Sequence, residues 1–287
     1  MSVENTNKEA GGTSGRSLMR RVTRFGDGAG QVDEMPIIVE EPLSIRIDGR
    51  PYSVVMRTPG DETAHVAGFC LAEGLVDSPD DIVTIGFCTE EGTNVATVTL
   101  TAERRSVAGG LLDRRGFVSQ TSCGICGKEV LQDMQQIMRP LAAQTRLTPD
   151  QIRVAVGMLL PRQKLHKQTR GAHAAMILDN DNRVLSMAED VGRHNALDKA
   201  IGDLFWQEKL DSAVLGVMSS RLSYELVQKA ARGGLEVLVG ISRPTLLAVE
   251  LAASLNMTLA CAQDGQVLVF TGAERVGEQP PESEPSV

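Results

Sequence analysis

The last hundred residues restrict the fold most, because short apolar runs alternate there with helix-length amphipathic ones. AVLGVM precedes SYELVQKAARGG, and EVLVGI precedes LLAVELAASLN. Runs this short and this apolar fit strands buried on both faces, and a helix between consecutive strands makes them parallel. The turns of the two units also match, with Ser219-Ser220-Arg221 in one and Ser242-Arg243 in the other. Both turns place hydroxyl groups and an arginine at the expected start of a helix, where free backbone N–H groups and the helix dipole favour phosphate. Arg221 and Arg243 are therefore candidates for a phosphate-binding rim.

Upstream, the pattern is mixed. IIVE, LSIRI and YSVVMR read as strands, with a tight hairpin at Asp48-Gly49. Residues 62–75 carry apolar side chains at helical spacing, and IVTIGF and NVATVTLT read as further strands. Residues 104–122 lack clear periodicity and are expected to form a mobile connection into Cys123. KEVLQDMQQIM is expected to be a helix stopped by Pro140. TPDQIRVAVGMLL is another, with Thr148 as N-cap and Gln151 completing a capping box. AHAAMIL and RVLSMAE flank a turn at Asn180-Asp181-Asn182. Residues 1–32, rich in Gly, Ser, Thr and Asn, and residues 277–287, combining Pro with acid, read as disordered tails around one domain over 33–276. That domain has a β-rich portion to about residue 120 and an α/β portion after it.

Charge narrows the partners. Lys and Arg number 29 against 37 Asp and Glu, a net charge of −8, which argues against a general nucleic-acid or anionic-membrane binder. An anionic ligand must then meet a local basic site. No stretch of about 18 residues is uniformly apolar, and the N-terminus lacks a leader-like pattern, so a soluble cytoplasmic protein is expected. Aromatics make up 3% of the chain, so the core must be aliphatic. Five cysteines, an odd number in a long chain, point to reduced thiols.

The sharpest chemical signal is Cys123-Gly124-Ile125-Cys126-Gly127-Lys128. A CxxC pair can bind metal, cycle as a dithiol and disulfide, or carry sulfur as a persulfide, and each use needs an accessible thiolate. Structural zinc takes four protein ligands, and the chain offers only isolated histidines such as His173 and His194, so no metal site is expected. A thioredoxin-like site takes a strand running straight into the pair, whereas here a polar, glycine-containing stretch precedes it. The spacing alone leaves the three uses open. Arg104, Arg105, Arg114, Arg115 and Lys128 flank the pair. They would lower a thiol pKa and attract anions, and they equally suit plain solvation of a loop.

Two further runs stand out. In EDVGRHNALDK, from Glu189 to Lys199, a strand ends in acids, turns at glycine and opens a helix, which is where open α/β sheets bind ligands. Capping by Asn195 with surface acids is the competing explanation, and His194 is a candidate ligand-binding residue. In GAHAA, His173 has Ala175 where the zinc deaminases carry their proton-shuttling Glu, so deaminase chemistry lacks its general acid.

In this order, TSCGICGKE, GAHAAMIL, EDVGRHNALDKAIG, SYELVQKAARGG and ISRPTLLAVELA resemble the FdhD family, sulfur carrier proteins required for formate dehydrogenase activity. The resemblance covers roughly residues 36–276. It implies an α/β, cytidine-deaminase-like three-layer fold with an N-terminal β-rich portion and a mobile CxxC loop, commonly as a homodimer. It implies a sulfurtransferase that takes persulfide sulfur from a cysteine desulfurase and passes it to molybdenum bound by bis(molybdopterin guanine dinucleotide), which is bound as a substrate for a formate dehydrogenase client. Cys123 would hold the persulfide and Cys126 would assist or resolve it. The guanine dinucleotide would meet the segment Cys261-Ala262-Gln263-Asp264-Gly265-Gln266. Family members often carry an aromatic residue and arginines there. Here the phosphate contacts are instead expected from backbone amides or from Arg221 and Arg243. The competing class is a cofactor chaperone that moves no sulfur, and a third is a dithiol redox enzyme.

Overall fold

The computed structural model describes residues 15–26, 28–88, 94–114 and 138–277. The first described elements form an antiparallel ribbon, β1 (Ser17–Arg24) and β2 (Gln31–Ile38). β3 (Glu41–Ile47) and β4 (Arg50–Arg57) form the expected hairpin, with Asp48 and Gly49 at φ 49° and 79° in its turn. Helix α1 (Glu62–Ala72) follows, then β5 (Ile82–Cys88), β6 (Val95–Leu100) and α2 (Ala102–Arg114). The second half runs α3 (Pro149–Arg162), α4 (Lys164–Thr169), β7 (His173–Leu178), β8 (Val184–Asp190), α5 (Arg193–Trp206) and β9 (Leu215–Met218). It ends with α6 (Tyr224–Arg232), β10 (Val237–Gly240), α7 (Leu246–Ser254), β11 (Thr258–Gln263) and β12 (Gln266–Thr271).

A six-stranded sheet in the order β12-β11-β10-β9-β7-β8 carries the α/β half. β9, β10 and β11 are parallel, as the alternating sequence requires. Alternation along each strand serves two cores. Met176, Leu178, Leu215, Val217, Val237 and Val239 face Ile152, Ala155 and Leu159 of α3. Ala175, Ile177, Met218, Leu238 and Leu259 join the opposite core with α5, α6 and α7. Helices therefore cover both faces of the sheet, and the chain is α/β. A four-stranded sheet, β4-β3-β6-β5, packs Leu43, Ile45, Ile47, Ala96 and Val98 into the same core as α1. The capping box at Thr148 and Gln151 forms as its spacing predicts, with Gln151 N donating to Thr148 Oγ1 at 3.1 Å and Thr148 N to Gln151 Oε1 at 2.8 Å.

Two expectations need correction. Residues 17–32 are not a tail: Ser17 pairs with Ile38 and Arg24 with Gln31 along the ribbon. The Gly, Ser and Asn that suggested a tail lie either upstream of Ser17 or in the FGDGAG connection between the strands, whereas SLMRRVTR and QVDEMPII are two segments that satisfy each other's backbone by pairing. The first part of the expected connection, residues 104–114, is not irregular but belongs to helix α2, and residues 115–122 lie outside the described residues. Two adjacent glycines hid this helix from a propensity reading. Tertiary anchoring supports its first turn, with Arg104 donating to the carbonyls of Leu75 and Gly74 at 2.7 Å and Arg105 pairing with Asp48 at 2.8 Å. Residues 128–137 of the expected helix KEVLQDMQQIM, residues 1–14 and the expected tail beyond 277 lie outside the described residues.

Helices α1 and α5 cross at bare backbone. A Cβ on Gly68 would overlap the carbonyl of Asp198, and one on Gly202 would overlap the carbonyl of Ala64. Beside this crossing is a buried polar network. Asp190, at the end of β8, pairs with Lys199 of α5 at 2.8 Å, both side chains fully buried. The same carboxylate accepts from Thr58 N at 3.0 Å and Gly192 N at 2.8 Å, while Lys199 also donates to Thr58 O at 2.7 Å. Asn195 donates to Asp190 and to Met56 O. It is thus not the helix cap that the sequence suggested: Gly192 occupies the cap position without a side-chain bond. His65 of α1 lies buried nearby, its pKa pushed well below 6.5 by burial first and then by Lys199, Lys229 and Arg57.

Gly202→Ala is expected to lower the free energy of unfolding by about 3 kcal/mol or more, since backbone must move to admit the methyl group. Urea denaturation measures it. His65 makes a second prediction. As pH falls below 6.5, the unfolded chain takes up this proton before the folded one does, so stability is lost on acidification, by up to about 1.4 kcal/mol per pH unit until His65 itself protonates. In His65→Leu, the decline in stability between pH 7 and pH 5 should be shallower than in the parent, by the same denaturation assay.

Candidate functional site

The register of the sheet determines what shares its carboxyl edge. Gly240 is level with Met218 on one side and Cys261 on the other, so the chain leaves β9, β10 and β11 at one edge. β7 runs the opposite way and brings His173 and Ala174 to that edge, while β8 ends there with Glu189 and Asp190. The structure thereby gathers, from separate stretches of sequence, Arg221, Arg243, the start of the 261–266 segment, His173 and the turn into α5 that carries His194.

The two βα turns are equivalent in detail. Arg221 and Arg243 each lie three residues beyond the end of their strand and two before the helix N-cap, which is Ser223 for α6 and Thr245 for α7. Both arginines are exposed. They stand before the caps, slightly upstream of the helix starts that the sequence suggested. Thr245 Oγ1 accepts from Ala248 N and so occupies the opening of α7, whereas Ser223 and Gly192 leave the openings of α6 and α5 without side-chain caps. Those uncapped N–H groups remain for an acceptor. The turns also pack closely: a Cβ on Gly240 would press on the carbonyls of Ser242 and Ser220, so glycine permits their approach.

His194 Nε2 lies 2.9 Å from a carboxylate oxygen of Glu225 and 3.2 Å from Ser223 Oγ. The hydrogen bond from His194 holds the Glu225 carboxyl below its usual range. His173 Nδ1 is 3.5 Å from Ser219 Oγ, which accepts from Ala174 N at 2.8 Å. Burial, and then the positive charge of Arg193, His166 and His194, lowers the pKa of His173. The edge therefore offers arginines, a histidine paired with a carboxylate, and a histidine biased to be neutral. This set suits an anion with several oxygens.

The acids of EDVGRHN serve the scaffold. The Glu189 carboxylate accepts from Leu165 N and His166 N at 2.8 Å, closing the start of α4, and Asp190 is consumed by the network described above. The 261–266 segment is a hairpin: Cys261, Ala262 and Gln263 end β11, Asp264 and Gly265 turn at φ 52° and 75°, and Gln266 opens β12. Cys261 is buried, and burial pushes its thiol pKa up against the pull of Arg243. Its side chain faces the interior, while Gln263, Asp264, Gly265 and Gln266 are exposed. Of the other described cysteines, Cys88 is exposed, and Cys70 is buried with its thiol pushed up to about 12, mainly by burial. Cys123 and Cys126 lie outside the described residues. Among the described residues no group of three or more His, Cys, Asp or Glu side chains could hold a metal, and no helix is long and apolar enough to cross a membrane.

Sequence reasoning did not find Glu225 as the partner of His194, nor Ser223. The repeated hydroxyl two residues after each arginine was the available signal for Ser223. Glu225 carried none, because its role depends on α5 and α6 opening side by side.

The chain is similar to proteins of one kind along most of its length. A sulfur carrier protein FdhD from Streptomyces coelicolor is 37% identical over 267 residues, covering 90% of this chain and 94% of the relative. The sulfur carrier protein FdhD of Mycobacterium tuberculosis is 39% identical over 278 residues, covering 90% and 97%. A solved structure described as a formate dehydrogenase accessory protein, from Desulfotalea psychrophila, superposes with a TM-score of 0.71 at 24% identity, covering 91% of this chain and 99% of that one. That likeness is one of fold. Residues 38–277 match the profile of the FdhD/NarQ family, and, as the order of its motifs implied, the chain belongs to that family.

Proposed function

We propose that this protein is a sulfur carrier in formate dehydrogenase maturation, taking sulfur from a cysteine desulfurase and transferring it to the molybdenum of bis(molybdopterin guanine dinucleotide), its cargo. The observation that carries the reading is the shared carboxyl edge, where Arg221 and Arg243 follow the neighbouring strands β9 and β10, next to the strand that leads into the 261–266 hairpin and beside the uncapped opening of α6. Two arginines in equivalent turns suit the two phosphates of a guanine dinucleotide, and His194, paired with Glu225, supplies a further donor. Family membership and the names of the relatives support the sulfur-carrier part. The sheet with helices on both faces supports a cytidine-deaminase-like three-layer arrangement. The homodimer and the cytoplasmic setting belong to the same proposal.

In this mechanism the Cys123 thiolate attacks the outer sulfur of the desulfurase persulfide. The S–S bond of the donor breaks, the desulfurase leaves as a thiolate, and Cys123 bears the persulfide. The Cys126 thiolate then attacks the inner sulfur, expelling hydrosulfide to the cargo and leaving a Cys123–Cys126 disulfide, which a cellular thiol reductant returns to the dithiol. The acidic chain needs a local basic site for its anionic cargo, and the edge arginines are that site.

Two measurements test this. After incubation with a cysteine desulfurase and cysteine, intact-mass spectrometry should find one added sulfur atom on the protein and none on Cys123→Ala. No gain in the parent protein would favour a cofactor chaperone that moves no sulfur. Separately, Arg221→Ala and Arg243→Ala should each weaken GDP binding about tenfold or more, because a charged hydrogen bond is lost, while sulfur loading stays normal. Isothermal titration calorimetry reads the affinity.

A further inference from the structure

The opposite end of α5 borders a cavity, which shares no residue with the carboxyl edge. Its volume is about 830 Å³, within the range of sites that take drug-sized ligands or several residues of peptide. Asp203 and Trp206 come from the end of α5, Asp61 and Glu62 from the start of α1, Glu41 from β3, Arg57 from β4 and Phe87 from β5. Carboxylates dominate this lining. Arg57 lies 3.5 Å from Glu41 and 3.3 Å from Glu62, and Arg16 reaches Asp61 at 4.0 Å, whereas Asp203 accepts a neutral hydrogen bond from Gln207 and has no ion pair among the described residues. The carboxylates outnumber the guanidiniums, counting Arg16, so the wall is negative.

A further feature points to what it takes. The indole N–H of Trp206 donates to Thr63 O at 3.3 Å, which fixes the ring at the cavity wall, and Phe87, 40% exposed, lines the same cavity. Arg57, 3% exposed, is held at the wall between the carboxylates of Glu41 and Glu62.

We propose that this cavity docks an extended segment of a partner protein that carries an arginine. A guanidinium is planar, so one group can stack on the Trp206 ring and still present paired donors to Asp203 and Asp61; an ammonium can do only one of these well. Negative wall and aromatic platform are thus met by one ligand. The proposal stands apart from the sulfur chemistry.

Trp206 is the single tryptophan of the chain, so its fluorescence reports on this cavity alone. Full-length protein is titrated with acetyl-Gly-Arg-Gly-amide and, in parallel, with the glutamine peptide of the same length. A saturable change with the arginine peptide, absent with glutamine, is expected. The Asp61→Asn/Asp203→Asn double variant should bind at least about tenfold more weakly, and Asp181→Asn, at the turn between β7 and β8, should bind like the parent. Thermal melts establish that each variant is folded. The proposal fails if the peptide gives no saturable change, if glutamine responds equally, or if the double variant keeps full affinity. Free L-arginine binding as tightly as the peptide would overturn the segment in favour of a small-molecule site. Self-association that abolishes the response would assign the cavity to a second copy of this chain.

Discussion

Asp190 and Lys199 bring opposite charges to a place where both side chains have no contact with water. Desolvating either charge alone would cost several kcal/mol, so the pair persists only because its remaining valences are used. They are used on backbone: Asp190 takes the amides of Thr58 and Gly192, and Lys199 takes the carbonyl of Thr58. The pair therefore locks the turn after β4 to the turn after β8. These turns belong to different halves of the chain, the β-rich portion and the α/β portion, and the glycine crossing of α1 with α5 extends the same joint. The first half is in this way part of the platform on which the carboxyl edge is built.

The edge itself is a product of repetition. Two βα units with the same turn lengths place Arg221 and Arg243 in equivalent positions, and the parallel register puts those positions side by side. The turn into α5 is a third element of the same edge, fixed from below by the buried pair and facing α6 through His194 and Glu225. A rigid frame of this kind lets exposed side chains meet an anion without much reordering, which lowers the entropic cost of binding. The EDVGRHN run illustrates the division of labour: its acids hold the turn in place from the interior, and its histidine is presented at the surface.

Much of this was legible from periodicity. Alternating apolar runs marked β9, β10 and their helices, Asp48-Gly49 marked the first hairpin, and Thr148 with Gln151 marked the start of α3, because each of these signals is local and has few competing solutions. The ribbon of β1 and β2 was not legible, since its strands bury little and satisfy mainly each other's backbone. Nor was α2, which overrides the propensity of its glycines by anchoring Arg104 and Arg105 on distant carbonyls and on Asp48. Asn195 shows the converse, a residue whose local pattern suggests a cap while its side chain reaches Met56 of another element.

By itself, the sequence determined the α/β class, the two equivalent arginine turns, the CxxC spacing of Cys123 and Cys126 and, through the order of its motifs, the family. These depend on short-range spacing, and spacing survives whatever the rest of the chain does. Only the tertiary structure decided that the acids of EDVGRHN point inward, that Glu225 pairs with His194, that Cys261 is buried, and that the end of α5 opens onto an acidic, aromatic cavity. Each of those outcomes depends on which residues distant in sequence share a dielectric environment and a hydrogen bond, and that is settled by how the layers pack.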